Sequence, residues 1–229
     1  MALKAAIFGV LLSLVVGRWS LVILFLAVAF YFYFRSFFNI RQFLASFLTI
    51  LVLSLLVVNL LVVGRWSLVV GLFFGLLFFF LLGIKDLIFI RREPLYYLLN
   101  SLLLLAVFVY FFNSNNFEQP FWFLVKSLAA FLAVFFLFKE FLTVVVGNQK
   151  RNLMAAGSAF LSLQFLWVIG FLPFRSLNAA SLALLIALIL EDFIVHHLSG
   201  TINCRIVLRN MTMFLVLAMI IFGASKWAP

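Results

Sequence analysis

Between residues 43 and 63 the chain reads FLASFLTILVLSLLVVNLLVV, a run without a single charge and apolar on every face of a helix. A segment of that kind has no side to turn toward water. About 20 apolar residues cross the ~30 Å hydrocarbon core of a bilayer as a helix, with about 17 as the lower edge. Cutting the rest of the sequence at its polar islands gives eight more apolar runs, near 5–16, 20–38, 67–84, 95–112, 121–138, 153–173, 178–190 and 206–225. Of the nine, 43–63 and 153–173 are long enough without help. The runs 5–16 and 178–190 are short, and need a tilted partner, a re-entrant path or extension by their polar flanks.

Composition agrees. Hydrophobic residues make up 68% of the chain and charged ones 10%, against roughly half and a quarter in soluble domains. Too few charges remain to cover a water-soluble surface. Barrel strands alternate apolar and polar residues, which these runs do not. Helices, which satisfy their own backbone hydrogen bonds in lipid, are the remaining way to span. The expected fold is therefore all-α: a polytopic integral membrane bundle of eight to nine transmembrane helices, with residues 1–229 in a single transmembrane domain. The N-terminal run has one basic residue, Lys4, and no small-x-small cleavage site after it, so 4–16 reads as a retained first helix.

A net charge of +10 suggests nucleic acid in a soluble protein. Here the basic residues are scattered at helix ends, where they orient a membrane protein, and no nucleic-acid partner is expected. With nine crossings, one side collects Lys4, Arg35, Arg41, Lys85, Arg91, Arg92, Lys139, Lys150, Arg151, Arg205 and Arg209. The other has Arg18, Arg65, Lys126, Arg175 and Lys226. Eleven against five puts the N-terminus in the cytoplasm of a multi-pass cell-membrane protein, and the C-terminus outside.

Under the apolar runs lies a repeat. LVVGRWSLV occurs at 14–22 and again at 61–69. Each copy opens an apolar run that closes on charge, at Arg35 and at Lys85-Asp86; the ending recurs as Lys139-Glu140 and Glu191-Asp192. The steps between these landmarks are 50, 54 and 52 residues. The pattern describes parallel two-helix hairpins of about fifty residues, with units near 17–63, 64–112, 118–173 and 174–227. Each unit would hold a descending helix ending in its charges, a basic loop and a returning helix. In the shared island, Arg18, Trp19, Arg65 and Trp66, with Arg175 in the later echo Phe174-Arg175-Ser176-Leu177, read as interface anchors. Ser20 and Ser67 read as helix caps.

Charges at the opposite helix ends are the place to look for chemistry. Arg35, Lys85 and Lys139 would sit roughly 22 to 27 Å along their helices, and Glu191 nearer about 20 Å. Ionised carboxylates there need partners, and the available cations are those at the equivalent places in the other units. Arg35, Lys85, Asp86, Lys139, Glu140, Glu191 and Asp192 thus form a candidate charge cluster for an anionic substrate, a lipid head group or a proton relay. Alternatively they are helix-end side chains and local ion pairs that fix depth and packing. Asp192 and His196 share a helical face and suggest a metal, but no His-Glu-x-x-His or second His pair accompanies them, and no metal is expected. The lone Cys204 precludes an intramolecular disulfide. Gly71-x-x-x-Gly75 fits a close helix contact or a dimer face.

No catalytic set is present: Gly157-Ser158 lacks the nucleophile elbow, and phosphate loops are missing. No cofactor is expected, and no catalytic residues. The function that follows is non-enzymatic, structural or interaction-type, with the bilayer, anionic lipid head groups or other membrane proteins as partners. The alternatives are a small-solute or ion transporter using the charge cluster and, third, an intramembrane enzyme acting on lipid-linked substrates.

Overall fold

Each apolar run becomes a helix. The structure is a computed structural model, and it describes residues 1–15, 19–35, 43–61, 67–86, 92–113, 120–145 and 151–224. Among them lie α1 (Ala2–Leu14), α2 (Trp19–Phe34), α3 (Leu44–Leu61), α4 (Ser67–Lys85), α5 (Arg92–Asn113), α6 (Pro120–Val145), α7 (Arg151–Gly170), α8 (Ser176–Leu198) and α9 (Cys204–Ala224). No strand occurs among the described residues. Six helices are long and apolar enough to cross a membrane: Leu68–Lys85, Pro94–Asn113, Phe121–Val145, Arg151–Gly170, Ser176–Leu198 and Cys204–Gly223. Ala2–Leu14, Ser20–Phe34 and Leu44–Val58 are shorter apolar helices.

Helix ends differ from the expectation where charge was taken as the stop. α4 does end at Lys85, but α6 runs through Lys139-Glu140 to Val145 and α8 runs through Glu191-Asp192 to Leu198. A charged pair does not by itself break a helix; glycine and proline lower helix propensity more, although α4 continues through Gly71, Gly75 and Gly83. The first such residue after α6 begins is Gly147, and after α8 begins it is Gly200. The apolar run 178–190 therefore belongs to a 23-residue helix. Ser20 lies inside α2 and Ser67 is the first residue of α4. In α8 the cap is Arg175, with no side-chain cap bond.

The chain forms two compact units, Met1–Leu103 and Leu104–Pro229, with the division inside α5. In the first, α1 lies antiparallel on α4 at a crossing made of glycine. A Cβ added at Gly71 would stand 2.6 Å from the Gly9 carbonyl oxygen, and one at Gly9 2.7 Å from the Gly71 oxygen. Gly71-x-x-x-Gly75 is thus a close contact within this unit, against Gly9. In lipid, where apolar side chains gain nothing by leaving the solvent, this dispersion contact is what draws helices together. An apolar cleft of about 480 Å³ runs beside the crossing.

Stacked aromatics join the remaining helices of this unit. Phe8 of α1 stacks on Phe78 of α4 with centroids 4.4 Å apart and meets Phe25 of α2 at 4.9 Å. Tyr33 of α2 stacks on Phe47 of α3 at 4.1 Å, and Phe43 meets Tyr96 of α5 at 5.3 Å. Such pairs contribute about 0.5–1.5 kcal/mol beyond their burial.

In the second unit α6 packs on α7, α7 on α8 and α8 on α9. Alanines on α7 and α8, among them Ala155, Ala159, Ala180 and Ala187, are buried and let the backbones approach. Trp167 Nε1 donates to Ser127 Oγ at 3.1 Å across α6 and α7. Three further hydroxyls are satisfied within their own helix: Thr49, Ser54 and Ser158 donate to the carbonyls of Ala45, Leu51 and Met154 at 2.7 to 2.9 Å.

Candidate functional site

The densest polar contact of the second unit is made by a local chain reversal. α8 stops because Gly200 adopts φ +67°, a left-handed conformation that glycine enters without steric cost. The Gly200 amide donates to the His197 carbonyl at 3.2 Å and the Thr201 amide to that of His196 at 3.0 Å. That is a Schellman closure of the helix end. Five residues later α9 begins, and its first free amides are taken up by Asn203, whose carbonyl accepts from Ile206 at 2.9 Å and Val207 at 3.2 Å. α8 and α9 are thereby set antiparallel, and the far end of the pair is closed by Phe174 against Phe222 at 4.9 Å.

The register of this hairpin brings Asp192 level with the second turn of α9. Its Oδ2 accepts from Asn210 Nδ2 at 2.6 Å and from Arg209 Nη2 at 3.2 Å, while Oδ1 lies 3.5 Å from His196 Nε2. His196 Nδ1 in turn lies 2.9 Å from Thr201 Oγ1. Asn210 is buried, whereas the side chains of Asp192 and Arg209 are 36% and 56% exposed. Chemically the arrangement is a carboxylate with one oxygen, Oδ2, held by two donors from α9 and the other beside a histidine ring. It ties two helices together.

At one end of the first unit a second polar contact forms. Lys85 is buried at 2% exposure, and its Nζ donates to the carbonyl oxygen of Tyr33. The same ammonium stands 3.7 Å from the centre of the Tyr33 ring. Tyr33 lies in the last turn of α2, where carbonyls have no partner within the helix and carry the negative end of its dipole. Lys85 thus caps α2 from α4. Asp86 and Lys4 are the charges that act on it, so the start of α1 and the ends of α2 and α4 share one end of this unit.

The remaining members of the expected cluster are divided between the two units. Arg35 is exposed, its guanidinium 5.4 Å from the ring of Tyr31 on its own helix. Lys139 lies 5.9 Å from Phe135, one turn back in α6. Glu140 and Glu191 are buried, at 8% and 3% exposure. Asp192 bonds an arginine on the next helix, Arg209. Arg209 and Asn210 were missed as its partners, although a polar pair one turn beyond Arg205 was visible. Among the described residues no three His, Cys, Asp or Glu side chains gather as a metal site, and Asp192 is engaged by its donors. Of the interface anchors, Arg175 is exposed at the start of α8 and Trp19 is the first residue of α2. Arg18, Arg65 and Trp66 lie outside the described residues.

Described residues that are helical without strands, with six helices long and apolar enough to cross a membrane, fit the class of multi-pass membrane proteins. The chain matches no protein-family model, no curated protein and no solved structure.

Proposed function

We propose that the protein is a non-enzymatic, multi-pass cell-membrane protein whose helices cross the bilayer nine times in repeated hairpins, N-terminus in the cytoplasm and C-terminus outside, and whose helix-end charges lock helices rather than handle a solute. The observation that carries this reading is the Asp192 carboxylate, bonded by Arg209 and Asn210 in a contact that joins α8 to α9. Lys85 on Tyr33 is used in the same way. The cleft beside α1 and α4 is lined by alanine, glycine and leucine, with none of these charges on it. In a transporter the carboxylates would be expected to face a wetted cavity. Glu140 and Glu191, both buried, are the residues on which a transport reading would rest.

Asp192→Asn tests the proposal. A lock of this exposure is worth about 1 kcal/mol, or ~2–4 °C in the unfolding midpoint of a chain this size. The purified variant should melt lower by that amount, and liposomes holding either form should leak protons and potassium at the rate of empty ones. A flux that depends on the wild-type protein and disappears in Asp192→Asn or Glu191→Gln, with the midpoint unmoved, would replace this reading with transport.

A further inference from the structure

The α8–α9 reversal carries more positive charge than the protein neutralises. Arg205 and Arg209 sit one turn apart on the same face of α9, both exposed, with His197 exposed on α8 beside the turn. Asp192 is the one carboxylate they have, and it is already bonded to Arg209 and Asn210. Arg209 spends a single Nη2 contact on it, leaving most of its five N–H donors turned outward. Arg205 makes no hydrogen bond or ion pair with any described residue. The first turn of α9 holds no acid, so Arg205 stands at the positive end of a helix dipole with no carboxylate on that turn to offset it.

Their surroundings say what kind of anion fits. Ile202, Leu208 and Met211 are 49%, 67% and 50% exposed around the arginines. α9 is apolar over its remaining length and packs on α8 at the edge of the unit. Arg209 lies about 7.5 Å along α9 and Asp192 about 9 Å before the end of α8, at 1.5 Å per residue. With both helices across the bilayer, Arg205 at the start of α9 lies near the phosphate groups, and Arg209 reaches them by extending its side chain along the helix. We infer that the α8–α9 turn is a binding site for the phosphate of an anionic phospholipid, held by Arg205 and the free edge of Arg209, with its acyl chains against Leu208 and Met211. Arginine suits the role because its planar fork meets phosphate oxygens in pairs.

This inference rests on α8 and α9 crossing a membrane. The full chain is reconstituted in nanodiscs of equal phosphatidylcholine and phosphatidylglycerol, released, and its retained phospholipids are counted by native mass spectrometry. The wild type should retain phosphatidylglycerol preferentially. Arg205→Gln should cut that preference about fivefold, the equivalent of ~1 kcal/mol for one basic side chain at an anionic surface. Arg205→Lys should keep much of it, and Arg175→Gln, at the other end of α8, should leave it in place. Circular dichroism should show the same helix content throughout. Equal retention by wild type and Arg205→Gln would overturn the site, as would displacement of the lipid by millimolar inorganic phosphate, which would mark a soluble-anion site instead. Retention of neither phospholipid would overturn the membrane reading, and this inference with it.

Discussion

Two lysines, Lys85 and Lys126, show how partners decide the sign of a buried charge. Each carries an ammonium on an apolar helix, but Lys85 meets a carbonyl at the end of α2, an aromatic face and a neighbouring carboxylate. The Lys126 ammonium is buried with no hydrogen-bond partner among the described residues, not extended outward to the interface. A hydrogen bond to a charged group contributes about 1.5–3 kcal/mol, and a desolvated cation over an aromatic ring ~2 kcal/mol. For Lys85 these offset a desolvation cost of several kcal/mol; for Lys126 nothing does. The same substitution should therefore act in opposite directions. Lys85→Met is expected to destabilise by about 1–2 kcal/mol, because it leaves Tyr33 without its donor and Asp86 without its cation. Lys126→Met is expected to stabilise by about 1 kcal/mol or more, because it removes only a penalty. Equilibrium unfolding of both variants in mixed micelles checks this, and shifts of the same sign would show that the partners of Lys85 do not offset its burial.

At the scale of the helix, the α1–α4 crossing depends on the absence of two side chains. A methyl at Gly9 or Gly71 meets backbone oxygen at 2.7 or 2.6 Å, and backbone cannot swing aside as a flexible side chain can. Overpacking of this kind costs about 1–3 kcal/mol. Gly157, within α7, has nothing within 4 Å of an added Cβ, and alanine there should gain about 0.5–1 kcal/mol from helix propensity. Gly71→Ala should thus lower the thermal midpoint while Gly157→Ala holds or raises it; equal tolerance of both would mean that the crossing is looser than these distances imply. The same crossing shows what the sequence could tell. Gly71-x-x-x-Gly75 marked a close contact, but its partner, Gly9, is sixty-two residues away in the chain. Nothing local names it. Helix positions were legible because length and apolarity are local properties. The ends of α6 and α8 lie beyond the charges because a charged pair does not by itself end a helix. Lys85 on Tyr33, fifty-two residues apart, and Asp192 on Arg209 follow from which helices pack together. The stacked path from Phe8 through Phe78 was hidden for the same reason among thirty-three phenylalanines.

For the whole molecule the open question is how many helices cross, and a single native residue answers it by parity. Cys204 is the one cysteine of the chain, exposed at the first residue of α9. If all nine helices cross, eight crossings precede it, and it lies on the same side as the N-terminus. If α1, α2 and α3, being shorter, stay on one side and only the six long helices cross, five crossings precede Cys204 and it lies opposite. The excess of basic residues on one side of the nine-span arrangement favours the first and places both groups in the cytoplasm. Within the first unit, Lys4 and Lys85 share an end with the close of α2, as alternating crossings of α1 through α4 require. A membrane-impermeant maleimide should therefore leave Cys204 unlabelled in intact cells and label it once they are permeabilised. An N-terminal tag should gain protease sensitivity under the same treatment. Labelling of Cys204 from outside with the tag still protected would reduce the crossings to an odd number before α9. Both exposed on intact cells would keep nine crossings and invert the protein in the membrane. Replacing Lys226 by cysteine in a Cys204→Ser background supplies the reciprocal result. That position lies outside the described residues, and one more crossing should make it reachable in the intact cell.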